Sequence, residues 1–388
     1  MSKFCQRYYH SRFYHVVTAT FAALMPLILI GTGAQALLLS IFSRDGFFAV
    51  IFDLAHWVPG FVQIHIGLGL IVTYTLGLSG LLAAVFAARA ASADQPRWAA
   101  LTSGVGWLIL NTSPLTSFGP NLGLDGLLPG LIFGAGCGWL FAHLRKPQWL
   151  APVLLVLAAA LRVGITTLAK NGSTLVLTAW PAALTGATSH WSLHTGLVAL
   201  INSGLGWLGL PTPIPALAPM MTSATATANL HAALANRAIP YPNTLGTLYR
   251  PFALFGGVGM TLALVIAILL VDRRPAKRRL AYFSLAPSLV NLNWPLLLGY
   301  SVVLEPVLLV PFFLAPLAAT GIAWLALHWH LMAPAVYQVP ATTPGPLLAW
   351  LATNGNWPAL VVALLGLAVA VAIYLPFVKM LAGGGAHA

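Results

Sequence analysis

The chain has 388 residues, of which 59% are hydrophobic and only 6% charged, with a mean hydropathy of +0.88. A soluble domain keeps roughly a quarter of its residues charged, so the composition excludes a soluble globular fold and requires an integral membrane protein. The net charge of +12 would point to nucleic acid in a soluble chain, but here the basic residues fall in short clusters between oily segments, where they set topology.

A helix needs about 20 mostly apolar residues to cross the hydrocarbon core, and by that measure the chain holds about ten spans. The expected fold is therefore an all-α integral membrane protein. The basic start, MSKFCQRYYHSRFYH, leads into a long apolar run without a small-residue cleavage site, so it reads as a retained first span. That span covers Val16 to Phe42 and closes at Arg44 and Asp45. Phe47 to Pro59 is too short and broken to cross. Further spans are expected over Phe61–Ala88, Trp98–Leu110, Leu127–Leu144 and Trp149–Leu168. Leu175–Thr188 and Trp191–Leu210 are apolar but carry Trp180, Pro181, His190, His194, Asn202 and Ser203. Leu254–Val271 reads as a clean span opened by small residues, and Val302–His328 and Ala359–Met380 complete the set.

Cytoplasmic loops retain Lys and Arg. The clusters at Lys3, Arg7 and Arg12, at Arg89 and Arg97, and at Arg145 and Lys146 fall on one side when the spans are counted. This predicts a multi-pass membrane protein with both termini cytoplasmic. Cys5 and Cys137 form no spaced motif, so neither a disulfide framework nor a thiolate metal site is expected.

Two stretches cannot be smooth spanning helices. Residues 211–236 are dense in Pro, Thr and Ala, with Asn229, His231 and Asn236 at the polar end. Residues 286–317 pack Asn291, Asn293, Pro295, Gly299, Glu305, Pro306, Pro311 and Pro316 into an oily run. Irregular backbone at membrane depth is tolerated only where protein buries it or a watery cavity solvates it, so both stretches read as re-entrant hairpins, near 211–236 and 286–300, that mark a transport site. Both hairpins fall within 171–388, the less regular half and the one expected to carry the transport site, after a more regular half over 1–170.

Glu305, the only glutamate in the chain, is the strongest candidate. An ionisable group at membrane depth costs at least ~2.5 kcal/mol and normally faces a cavity or a partner. The competing reading is a structural carboxylate on a helix terminus or on Arg250. Asn291 and Asn293 suit sugar hydroxyls or a broken helix end equally well. Trp180, Trp191, Trp207 and Trp294 offer flat faces for a pyranose ring, or serve as interfacial anchors. His190 with His194, and His328 with His330, have spacings compatible with a metal, but no carboxylate stands beside them and interfacial histidines are the simpler account. No phosphate loop, Ser/His/Asp set or carboxylate pair is present, so no catalytic residue, metal or cofactor is assigned.

The run NLNWPLLLGYSVVLEPVLLVPFFLAP (residues 291–316) resembles the N-I-N-E-P signature of enzyme IIC, the membrane component of the lactose, cellobiose and diacetylchitobiose phosphotransferase systems. TATFAALMPLILIGTGAQALL, GWLGLPTPI, FGGVGMTLAL and IYLPFVKML agree in order along the chain. The resemblance implies a homodimeric sugar permease, with substrate-side residues at Asn291, Asn293, Trp294, Glu305, Trp207, Pro211, Thr212, Asn229 and His231. It also implies an enzyme IIB-type partner whose phosphocysteine phosphorylates the incoming sugar, and an elevator-like movement of the carboxy-terminal helices. Three positions depart from the pattern. Trp294 stands where the family has its functional glutamate, Pro211 where it usually has histidine, and Glu305 where it has asparagine. Neither proline nor tryptophan acts as a base. The resemblance is therefore compatible with a permease whose phosphoryl-transfer site is altered, or with a sugar-binding, sensing or facilitating module that has kept the fold.

Overall fold

A computed structural model describes residues 7–92, 95–111, 120–144, 147–170, 192–217 and 223–384. Among them there is no strand. The helices run in order as α1 (Arg12–Ser40), α2 (Phe47–Phe52), α3 (Leu54–Trp57), α4 (Phe61–Thr75), α5 (Ser79–Ala91), α6 (Pro96–Asn111), α7 (Leu127–His143), α8 (Pro147–Lys170) and α9 (Ser192–Leu208). They continue as α10 (Ala224–Leu234), α11 (Arg250–Ala253), α12 (Thr261–Val271), α13 (Pro275–Leu289), α14 (Trp294–Gly299), α15 (Pro306–His328), α16 (Gly345–Ala352) and α17 (Trp357–Gly384).

Six helical stretches among the described residues are long and apolar enough to cross a membrane: Arg12–Ser40, Phe61–Ala91, Leu124–His143, Trp149–Thr167, Pro306–His328 and Trp357–Gly383. Two shorter apolar helices, Thr195–Leu208 and Thr261–Val271, accompany them. Hydropathy led to about ten spans; the difference has identifiable sources. The apolar run Leu175–Thr188 lies outside the described residues, as do Trp180, His190 and Trp191. Helix α6 is described over 16 residues, up to Asn111, where the described stretch ends. The run Leu254–Val271 is not continuous helix: Gly256, Gly257, Gly259 and Met260 all adopt positive φ, so helix begins only at Thr261. Apolar composition alone could not reveal that break.

The chain forms two compact units. The described residues of one come from 7–31, 70–170 and 208–210, those of the other from 32–69, 192–207 and 211–384. In the first unit α5 packs along α7 through small residues. A Cβ added at Gly130 would strike the carbonyl of Gly80, one at Gly134 that of Ala84, and one at Gly138 that of Ala88. With little hydrophobic drive between helices in lipid, such backbone approach is what holds a pair together. Ala84, Ala88 and Phe141 are buried along this seam. In the second unit α12 and α15 pack on α17, whose Tyr374 hydroxyl donates to the carbonyl of Gly259 at 2.6 Å.

Gly134→Ala should lower the thermal midpoint of the detergent-solubilised protein, consistent with an overpacking cost of about 1–3 kcal/mol. Gly136→Ala, where a Cβ meets open space, should leave the midpoint unchanged or raise it. Equal midpoints for the two variants would refute close backbone packing as the basis of the α5–α7 pair.

Candidate functional site

The break in the 286–300 stretch begins at the last turn of α13, where Pro287 interrupts the helical ladder and Leu292 N–H folds back to the Pro287 carbonyl at 2.9 Å. Asn291 follows in the left-handed region at φ 66°, a conformation that Asn tolerates better than most residues. Its side chain is only 5% exposed as a residue and is heavily engaged. Oδ1 accepts from Gly256 N–H at 3.1 Å, while Nδ2 donates to the carbonyls of Ala341 at 2.9 Å and Thr343 at 3.1 Å. One amide thereby joins three loops.

Asn293 donates from Nδ2 to the Val258 carbonyl at 3.3 Å, and its own carbonyl accepts the first N–H groups of α14. Here the glycines of 256–259 are required. A Cβ on Gly257 would collide with the Asn293 amide, and one on Gly259 with the ring of Phe312. Val258 also lies against Gly206 of α9. Trp294 opens α14, half-buried, with Pro295 behind it.

Glu305 is 4% exposed and is the N-cap of α15, its Oε1 accepting from Val307 N–H at 3.3 Å. Its main chain is gripped by Trp207. The indole Nε1–H donates to the Glu305 carbonyl at 3.0 Å, and Leu304 N–H donates to the Trp207 carbonyl at 3.1 Å. Leu304 and Ser301 hold positive φ in this turn. Of the readings offered for Glu305, the helix-terminus role is thus visible in the geometry.

Pro211 is exposed and Thr212 half-buried, in the loop after α9. Two residues outside the sequence-derived set fix that loop. Asn202 accepts from Ile214 N–H at 2.9 Å and donates to the Ile214 carbonyl at 3.2 Å and to the Tyr249 hydroxyl at 3.1 Å. Arg250, also buried, donates to the Pro215 carbonyl at 2.9 Å. The signal for Asn202 was its isolation in an apolar helix; a guanidinium among Pro, Phe and Ala was the signal for Arg250. Between Arg250, Leu254, Phe255, Asn291 and Leu348 lies a cavity of about 10 Å³, room for roughly one water.

Asn229 and His231 lie apart in α10. Asn229 is buried and pinches Tyr241 with two bonds, to its carbonyl at 2.7 Å and from its N–H at 3.0 Å. His231, two positions on, is exposed. Among the described residues no group of three metal-ligating side chains occurs; His328 stacks on Trp324 with ring centroids 5.4 Å apart.

A second clasp closes the far end of α14. Asp272 takes Nε and Nη2 of Arg274 at 3.0 and 2.6 Å and the Tyr300 hydroxyl at 2.9 Å. Burial alone would raise the Asp272 carboxyl, but the bonds from Arg274 and Tyr300 and the Arg274 charge outweigh it and hold the pKa below the ordinary carboxylate value. Lys277 donates to the Gly299 carbonyl at 3.0 Å and lies within electrostatic reach of Glu305.

The model of the family described as "Phosphotransferase system, EIIC" matches residues 18–316, which include every residue of the Asn291–Glu305 node. This chain belongs to that family. The EIIC chain is 41% identical to the cellobiose-specific EIIC component of Lactococcus lactis over 127 residues, 33% of this chain and 26% of that one. It is 29% identical to the lichenan permease IIC component of Bacillus subtilis over 232 residues, 59% and 51% of the two chains. With the oligo-beta-mannoside-specific EIIC component of Bacillus subtilis it shares 32% over 157 residues, 39% and 34% of the two. In each case the match spans about half of the relative's length or less. Among solved structures, the transporter ChbC, the IIC component from the N,N'-diacetylchitobiose-specific phosphotransferase system, aligns over 98% of this chain and 95% of its own, at 20% identity and a TM-score of 0.44. Residue roles do not carry over at that distance.

Removing the Asn291 amide strands Gly256 N–H and two carbonyls in a buried site, so Asn291→Ala should cost about 2–4 kcal/mol and lower the thermal midpoint sharply. Asn236→Ala, which also replaces an asparagine at positive φ but at an exposed position, controls for backbone strain. Similar losses in the two variants would remove Asn291 as the organising contact.

Proposed function

We propose that this EIIC chain is the sugar-binding membrane component of a phosphotransferase-type permease for a β-linked disaccharide or amino sugar, with an altered phosphoryl-transfer site. The family match across 18–316 carries the reading, and the β-glycoside substrates named for the cellobiose, lichenan and oligo-beta-mannoside relatives support the substrate class. In this reading the segments near 211–236 and 286–300 are re-entrant hairpins. Residues 1–170 serve as the scaffold of a homodimer, and 171–388 carry the sugar. The chain lies in the bacterial inner membrane with both termini cytoplasmic, and an enzyme IIB-type subunit approaches from that side.

The residues divide the work by chemistry. Trp207 and Trp294 present ring faces to the apolar side of a pyranose. Asn293 commits one amide hydrogen to Val258, and its side-chain Oδ1 would meet a sugar hydroxyl. Glu305 supplies the negative charge that strengthens hydroxyl recognition. Trp294 and Pro211 can neither accept nor relay a proton, so phosphoryl transfer by the family's usual residues is absent. That substitution also favours a second reading, in which the chain binds or conducts the sugar without modifying it.

Purified protein titrated calorimetrically with cellobiose and with diacetylchitobiose should bind one of them, and should form little phosphosugar when given a phosphorylated IIB-type partner. Ordinary turnover would restore a standard permease, and failure to bind either sugar would defeat the substrate class. Glu305→Gln keeps an acceptor for Val307 N–H and should fold normally, yet weaken sugar binding about tenfold, the scale of one charge-assisted hydrogen bond. Arg44→Gln should change binding little; matching small effects would leave Glu305 as a helix cap alone.

A further inference from the structure

The outer face of α13 has an order that the sugar site does not use. Arg278, Arg279, Tyr282, Phe283, Ala286 and Leu289 are all exposed, whereas Ala281, Ser284, Pro287 and Ser288 are buried on the opposite side. From Arg278 to Leu289, a rise of about 16 Å, the exposed face passes from guanidinium to aromatic ring to aliphatic side chain. Tyr282 is 56% and Phe283 68% exposed. Arg278 also reaches along the face to the Tyr282 hydroxyl at 3.5 Å. Arg273 is exposed just ahead of the helix, while Arg274 and Lys277 turn inward to Asp272 and Gly299.

This order reproduces the polarity profile of one membrane leaflet, from the phosphate layer through the aromatic belt to hydrocarbon. Water would solvate the three outward arginines but not Phe283 and Leu289. A neutral lipid would cover the apolar half but leave the charges without a counterpart. Helix α13 contains no acidic residue, so its outer face selects for negative charge. A soluble acidic protein complements the arginines alone. An amphiphile with an anionic head matches the full length.

We propose that Arg273, Arg278 and Arg279 hold the phosphate of an anionic phospholipid whose acyl chains lie along Phe283 and Leu289. This assignment stands independently of the sugar reading. The bound lipid fixes the depth of α13, and because Arg274 and Lys277 tie the same turn to Tyr300 and Gly299, it also fixes the end of α14.

The test is native mass spectrometry of the full chain in detergent, titrated with short-chain phosphatidylglycerol, phosphatidylcholine or inorganic phosphate. Phosphatidylglycerol should be retained in preference to phosphatidylcholine, with phosphate failing to compete at millimolar concentration. R278Q/R279Q should weaken retention about thirtyfold, at roughly 1 kcal/mol for each of the two basic residues near an anionic surface. R278K/R279K should restore it, which separates lost charge from misfolding. Equal retention of the two lipids, or an unchanged R278Q/R279Q variant, overturns the proposal. Competition by inorganic phosphate, or displacement of the lipid by an acidic protein partner, would overturn it in favour of a general anion or protein-docking surface.

Discussion

Buried peptide groups that have left the helical ladder must find partners inside the protein, because lipid offers none. At the centre of the second unit that requirement is met by the amide of Asn291, which bonds Gly256, Ala341 and Thr343 at once. Without it, two broken segments and a loop separated by tens of residues would leave donors and acceptors stranded. The left-handed backbone at Asn291 and the positive φ values at Gly256, Gly257 and Gly259 are the local costs of bringing those segments together.

The segment between Asn291 and Glu305 is held at both ends by different means. Near its end, Trp207 exchanges two hydrogen bonds with the Leu304–Glu305 backbone while Glu305 caps α15. Next to α14, Asp272, Arg274 and Tyr300 form an ionic clasp, and Lys277 covers the last carbonyl of the helix. A short helix with little regular structure around it becomes a defined body through these flanking contacts. Asn293, Trp294 and Glu305 all lie in or beside that body.

Membrane class and helical content were legible from composition, and the irregularity of 286–317 from its prolines and asparagines. Hydropathy could not show that Leu254–Val271 opens as loop up to Met260, because three glycines and a valine remain apolar whatever their backbone does. Nor could it separate the two readings of Glu305, since capping depends on the Val307 N–H and not on any neighbour's type. Asn202 was conspicuous as a lone amide in an apolar helix, yet its work on Ile214 and Tyr249 depends on a loop whose course no periodicity encodes. Asn229 and His231 share a polar stretch in the sequence, but two helical positions place them on different sides of α10, one buried and one in the open.

The fully engaged amide of Asn291 means that the protein's own peptide groups already occupy the seat a guest would want. Any recognition through that side chain is an exchange reaction, in which an internal bond is surrendered for each one gained from outside. Affinity would then be set by the small difference between two similar partners, and the speed of capture by how often the 341–343 loop detaches, a quantity that no excess of ligand can hasten.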